Sequence, residues 1–165
     1  DSIEEQDGEI GKFVGDGIMA HFKDTATDGA IRAGLTILSK LHELRSKAQK
    51  TLHKLLYCGV GIARGPVLMG NIGGKTRKDF TIIGDAVNTA SNIEAETRLL
   101  NIPLLATQDV YENSNESLKL KQQGIHGLEV RTEGIPIYSP KDFNGNYFIN
   151  HAKLKELLIN EYSHA

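Results

Sequence analysis

The sequence predicts an α/β (α+β) sandwich, with helices packed on an antiparallel or mixed sheet, in one domain spanning 1–165. Three observations carry this: short β-rich runs joined by tight turns, two long stretches with apolar residues at helical spacing, and the interspersion of the two along the chain. Hairpins stand where parallel crossovers would need helices. With 165 residues and 39% hydrophobic content, the chain suffices for one core and falls short of two full domains. No repeat, low-complexity tract or shift in composition marks a linker.

Taken in order, "EIGKFVGDGIMAHF" (9–22) reads as two strands joined at Asp16-Gly17, a dipeptide that favours tight two-residue turns. From Asp24 to about Lys50, Ala30, Ala33, Gly34, Ile37, Leu38, Leu41, Leu44 and Ala48 recur at three- and four-residue steps, the spacing of an amphipathic helix. "LLYCGVGIARGPVLMGNIGG" (55–74) is rich in β-formers and reads as a second strand pair turning at Arg64-Gly65-Pro66. "KTRKD" (75–79) forms a basic loop, Phe80–Ile83 a short strand, Gly84-Asp85 a turn, and Ala86–Leu100 a helix stopped by Asn101 and Pro103. The remainder predicts a strand at 104–107, a short helix at Asp109–Asn113, strands near 118–123 and 127–138, and a terminal helix at about 150–163.

The formal net charge of -2 leaves no electrostatic footprint for nucleic acid and no polybasic patch for a membrane surface. Apolar runs are only a few residues long, far short of the roughly 20 that span a bilayer, and "DSIEEQDGEIGK" lacks signal-peptide character. Cys58 is the only cysteine, which excludes an internal disulfide and a cysteine-based zinc site and points to a reducing, cytoplasmic setting. The six histidines show neither HxH nor HExxH spacing, and GxSxG, GxxxxGK[ST] and GxGxxG are all absent. Serine hydrolase, P-loop and Rossmann chemistry are therefore set aside.

Five polar residues at junctions of strands and turns stand out. Lys12 alternates with Ile10 and Val14 and so shares their face of the first strand; it is either an edge lysine snorkelling to water or a ligand-facing cation. Asp16 at the hairpin tip is either a turn residue or a hard oxygen ligand for Mg²⁺, which binds one or two carboxylates together with substrate phosphates. Thr81, a polar group inside an apolar run, reads by itself as a β-former whose hydroxyl bonds to backbone. Asn88 and Asn92 are four apart and project from one side of a helix near its N-terminus, where free N–H groups and the dipole favour anions.

Taken together, "GKFVGDGIMAHF", "CGVGIARGPVLMGNIGG" and "RKDFTIIGDAVNTASNIE" resemble the catalytic domain of class III adenylate and guanylate cyclases, over Gly8 to about Tyr138. The specificity lies in the order and spacing of three linked motifs, since independent surface residues would not arrive together in this register. The resemblance implies a ferredoxin-like sandwich and a homodimer with its sites at the interface. It implies conversion of ATP to 3′,5′-cyclic AMP and pyrophosphate with two Mg²⁺ or Mn²⁺ ions, and contact with neither nucleic acid nor membrane by this segment. Asp16 matches the second metal aspartate, Lys12 and Thr81 match the purine-reading pair, and Asn88 matches the asparagine that orients ribose and transition state. Guanylate cyclases typically carry glutamate and cysteine at the purine pair, so Lys12 with Thr81 favours ATP.

Two departures accompany the resemblance. Asn92 stands where the family usually has an arginine that stabilises charge on the phosphoryl group, and an amide supplies neither a full positive charge nor a guanidinium fork. Arg98 points to another face of the helix, and Arg131 lies near the family's late phosphate-binding lysine in a loosely matching stretch. The family's first strand, with the first metal aspartate, and its following helices are absent from these 165 residues and are expected upstream, where a membrane anchor would also lie. The alternative expectation is a non-catalytic cyclase-homology domain that binds nucleotide or dimerises to regulate a partner.

Overall fold

A computed structural model describes residues 1–47, 56–73, 78–115, 120–126 and 134–140. The expected terminal helix, residues 127–133 including Arg131, Gly74 with positions 75–77 of the basic loop, and positions 48–50 of the first long helix lie outside the described residues.

After a 3₁₀ turn at Glu4–Gln6, β1 (Gly8–Val14) and β2 (Gly17–Phe22) form an antiparallel hairpin with Val14 opposite Gly17. The turn is therefore Gly15-Asp16, one residue earlier than Asp16-Gly17. Gly15 has φ +62° whereas Asp16 keeps a negative φ, so the glycine supplies the first central position, as type II′ turns select. The register shifts between Ile10 and Lys12. This bulge breaks the simple alternation expected to put Ile10, Lys12 and Val14 on one face, because the extra residue rotates the remainder of the strand.

A second 3₁₀ turn, Asp24–Ala26, leads into α1 (Thr27–Lys47), whose Asp28 at the start and Arg45 and Lys47 at the end complement the helix dipole. Next come β3 (Val60–Ile62), β4 (Leu68–Gly73), β5 (Lys78–Ile83) and α2 (Asp85–Leu100). They are followed by β6 (Leu104–Thr107), α3 (Gln108–Glu112), β7 (Leu120–His126) and β8 (Ile135–Pro140). Asn101 ends α2 in the left-handed conformation at φ 54°, as the expected stop signal requires.

Strands β3, β6, β8 and β7 lie side by side in that order; β3 and β6 are parallel, with α2 as their crossover, and the other pairs are antiparallel. The strand pair expected across Arg64-Gly65-Pro66 does not form. Instead β3 pairs with β6 and β4 pairs with β5 in a separate two-stranded ribbon. Gly-Pro ends a strand without deciding where the chain goes next, and the Val60 N–H is taken by the Pro103 carbonyl at 2.7 Å, at the start of the parallel ladder. Helices on a mostly antiparallel, mixed sheet are nonetheless what the sequence predicts.

Adjacent residues of β6 serve opposite faces of the sheet. Ala106 packs with Ile31, Val110, Leu120 and Tyr138 beneath α1, while Leu105 packs with Ile93 of α2 and Ile137. Each fully buried Ile or Leu stabilises by roughly 1.5–3 kcal/mol. Although α1 packs on both β2 and β3, these strands are not hydrogen-bonded to each other, so no backbone ladder joins the β1–β2 hairpin to the four-stranded sheet among the described residues.

The α2 helix lies unusually close to β3. A Cβ at Gly61 would overlap the Ala90 carbonyl oxygen and stand 2.7 Å from the Glu94 backbone nitrogen. Backbone atoms cannot swing aside, so Gly61→Ala is expected to cost about 3 kcal/mol, the upper part of the overpacking range. The check is chemical denaturation of the wild type and variant side by side, where a lower midpoint at unchanged slope is the expected outcome.

Candidate active site

The polar residues singled out in the sequence sit on three elements. Lys12 is exposed on β1, just past the bulge, and Asp16 is exposed at the hairpin tip. Strand β1 lies against β5: a Cβ on Gly11 would be 3.1 Å from Cδ1 of Ile82. Lys12 and Thr81 each neighbour one side of that contact, so two residues far apart in sequence stand on adjoining strands. Thr81 is half-buried opposite Gly70 of β4.

Asn88 is exposed in the first turns of α2, and Asn92, one turn later, is half-buried. The side chains of Lys12, Asp16, Thr81, Asn88 and Asn92 make no hydrogen bond or ion pair among the described residues. The reading of Thr81 as a hydroxyl bonded to backbone is thus not the arrangement found. Arg98 is committed elsewhere. Its Nη2 lies 3.1 Å from Oε1 of Glu94, and its guanidinium sits 5.7 Å from the centroid of the Tyr57 ring.

Among the described residues, the hairpin and α2 make their main contacts with different elements. The hairpin packs on the Glu4–Gln6 turn, α1 and β5, while α2 packs on β3 and β6. Among the described residues no group of three or more His, Cys, Asp or Glu is arranged to hold a metal. A divalent ion held at Asp16 would need further oxygen donors beside this one carboxylate.

A cavity of about 660 Å³ opens at the carboxyl ends of β3 and β6, lined in part by Arg64, Asp85, Thr89, Thr107, Asp109 and Glu112. None of the five expected site residues lines it. Its carboxylates outnumber its one guanidinium, which already meets Asp24 Oδ1 at 2.7 Å, so it is a poor seat for a polyphosphate. Burial pushes the Tyr57 hydroxyl and the Cys58 thiol above their ordinary pKa values, the hydrogen bond to Thr97 partly opposing this for Tyr57. The burial that disfavours the Cys58 thiolate also lowers its reactivity as a nucleophile.

Two neighbouring ribbons expose large apolar side chains. Phe13 is 69% and Leu68 70% accessible, and Val14, Ile18, Met69, Phe80 and Ile83 are also exposed. Isolated apolar residues on a surface are ordinary, but this many on two adjoining hairpin-like ribbons mark an interaction surface.

Helices lie on both faces of a mixed sheet, and the hairpin, its adjoining strand and the helix start carry an exposed lysine, carboxylate and amide with a half-buried threonine and amide. The chain belongs to the adenylate and guanylate cyclase catalytic domain family, whose model matches residues 3–150. It is 38% identical over 148 residues to an adenylate cyclase of Anabaena cylindrica, covering 85% of this chain and 29% of that protein. It is 30% identical over 133 residues to a photoactivated adenylate cyclase subunit alpha of Euglena gracilis, covering 79% of this chain and 13% of that protein. A bacterial light-regulated adenylyl cyclase superposes with a TM-score of 0.83 at 34% identity, covering 94% of this chain and 45% of that one. The chain thus spans less than a third of the length of these curated relatives. Domains of this family work on nucleotides with a divalent metal.

Proposed function

We propose that this chain is the C-terminal portion of an adenylate cyclase catalytic domain, acting in a homodimer on ATP to give 3′,5′-cyclic AMP and pyrophosphate. The observation that carries this reading is that all five motif residues hold their polar groups uncommitted in a domain of the cyclase family, two of them on adjoining strands. Asp16 would hold a metal, Lys12 and Thr81 would read the adenine, and Asn88 would orient the ribose. Two Mg²⁺ or Mn²⁺ ions would lower the pKa of the 3′-hydroxyl and offset phosphate charge. The exposed ribbons next to the hairpin support pairing with a second copy, which would bring one chain's Asp16 to the other's Asn88. The full-length protein, incubated with ATP and Mn²⁺, is expected to release cyclic AMP; absence of product from intact dimer would overturn the reading.

Base choice has its own test. Lys12→Glu with Thr81→Cys is expected to reverse the order of kcat/KM for ATP and GTP, since the pair then presents an acceptor where adenine needs a donor. Equal losses for both nucleotides would remove Lys12 and Thr81 from base reading.

A second reading rests on Asn92. An amide where charge must be neutralised, with Arg98 already held by Glu94 and Tyr57, favours a domain that binds nucleotide or pairs with an active partner without turnover.

A further inference from the structure

Arg64 lies just past the end of β3 and reads, in sequence, only as a turn residue. Its Nη2 donates to Asp24 Oδ1 at 2.7 Å, while its Nε is enclosed without a hydrogen-bond partner. Asp24 stands two residues beyond the end of β2, and its carbonyl accepts from Thr27 Oγ1 at 3.2 Å at the start of α1. The ion pair thus ties the exit of the Lys12–Asp16 hairpin to the loop between β3 and β4.

The far side of that loop is pressed on the start of α2. A Cβ on Gly84 would be 2.7 Å from the Pro66 carbonyl oxygen and 3.1 Å from Cγ1 of Val67, and one on Gly65 would be 3.2 Å from Cβ of Ala86. With no slack between residues 65–67 and 84–86, a shift of the loop becomes a shift of the helix start, and Asn88 moves with it, within one turn.

We infer that Arg64 is a positioning residue, which through Asp24 holds the β3–β4 loop against the start of α2 and so sets where Asn88 stands relative to the hairpin. The catalytic half of this inference rests on the cyclase reading; the geometric half does not. Asp24 is 76% exposed, so the pair contributes little to overall stability. Its effect is to be sought in geometry, where a misplacement of about 1 Å costs up to about 10²-fold in rate.

The test uses the full-length protein with Arg64→Ala, Arg64→Lys, Asp24→Asn and the charge swap Asp24→Arg/Arg64→Asp. In Arg64→Ala and Asp24→Asn, amide hydrogen exchange over residues 85–90 is expected to rise about tenfold while the thermal midpoint moves little. The swap is expected to restore protection, and lysine to restore part of it. For cyclic nucleotide formation, kcat is expected to fall about tenfold with KM within about twofold, and Arg64→Ala is expected to add less than about twofold to Asn88→Ala. Unchanged exchange at 85–90, or losses that multiply with Asn88→Ala, would overturn the inference. A protein without any turnover would sink the cyclase reading, and the exchange data would still decide the role of Arg64. Should Arg64→Ala fail to fold, Asp24→Asn carries the same comparison, because it removes the partner's charge and leaves the enclosed guanidinium in place.

Discussion

Asn92→Arg is expected to raise cyclic AMP formation by the full-length protein on the order of 10²-fold, below the roughly 10³–10⁵ that an arginine finger contributes in phosphoryl transfer. The discount reflects a helix that has adapted to the amide: Asn92 is half-buried, and a longer side chain must find its way out to the phosphates. A guanidinium brings a permanent charge and a planar fork of donors, neither of which an amide offers. The measurement is initial rate with ATP and Mn²⁺, together with nucleotide affinity for both forms. Tight binding with no turnover in either form would assign the domain a regulatory role. A large gain would identify the present chain as a weakened enzyme.

Mixing experiments should give the second large effect. Asp16→Ala and Asn88→Ala homodimers are each expected to be near background, because the first lacks a metal carboxylate and the second a transition-state donor whose removal costs on the order of 10²–10³-fold. Combined at equal amounts and allowed to exchange subunits, they should recover about a quarter of wild-type activity, since half the dimers are mixed and each mixed dimer carries one intact site of two. Sites completed within a single chain would recover nothing. The outcome therefore reads the architecture directly, without a structure of the complex.

Local features of this fold were plain in the sequence, and non-local ones were not. The hairpin, α1, α2 and the stop at Asn101 arise from periodicity and turn chemistry, which involve residues a few positions apart. The partner of β3 depends on a strand beyond a whole helix, and the glycine-proline loop between β3 and β4 looks the same whether the chain turns back or moves on. Even the hairpin turn was displaced by one residue, because Gly15 as well as Gly17 flanks Asp16 and only backbone dihedrals decide which glycine the turn uses.

The candidate site divides in the same way. The order of the three motifs singled out Lys12, Asp16, Thr81, Asn88 and Asn92 as candidates, and the packing of Gly11 on Ile82 adds that the strands carrying Lys12 and Thr81 adjoin, which spacing alone did not give. Arg64 was missed as anything beyond a turn residue. Its meaning comes from Asp24 and from the contact of its neighbours with Gly84 and Ala86, and no pattern confined to one stretch of sequence contains those partners.

The exposed ledge of Phe13, Ile18, Leu68 and Phe80 has a consequence for control. If catalytic groups meet only when two ledges meet, output far below the dissociation constant grows with the square of protein concentration, and halving the amount of chain leaves a quarter of the signal. Gene dosage and local crowding then act as inputs in their own right.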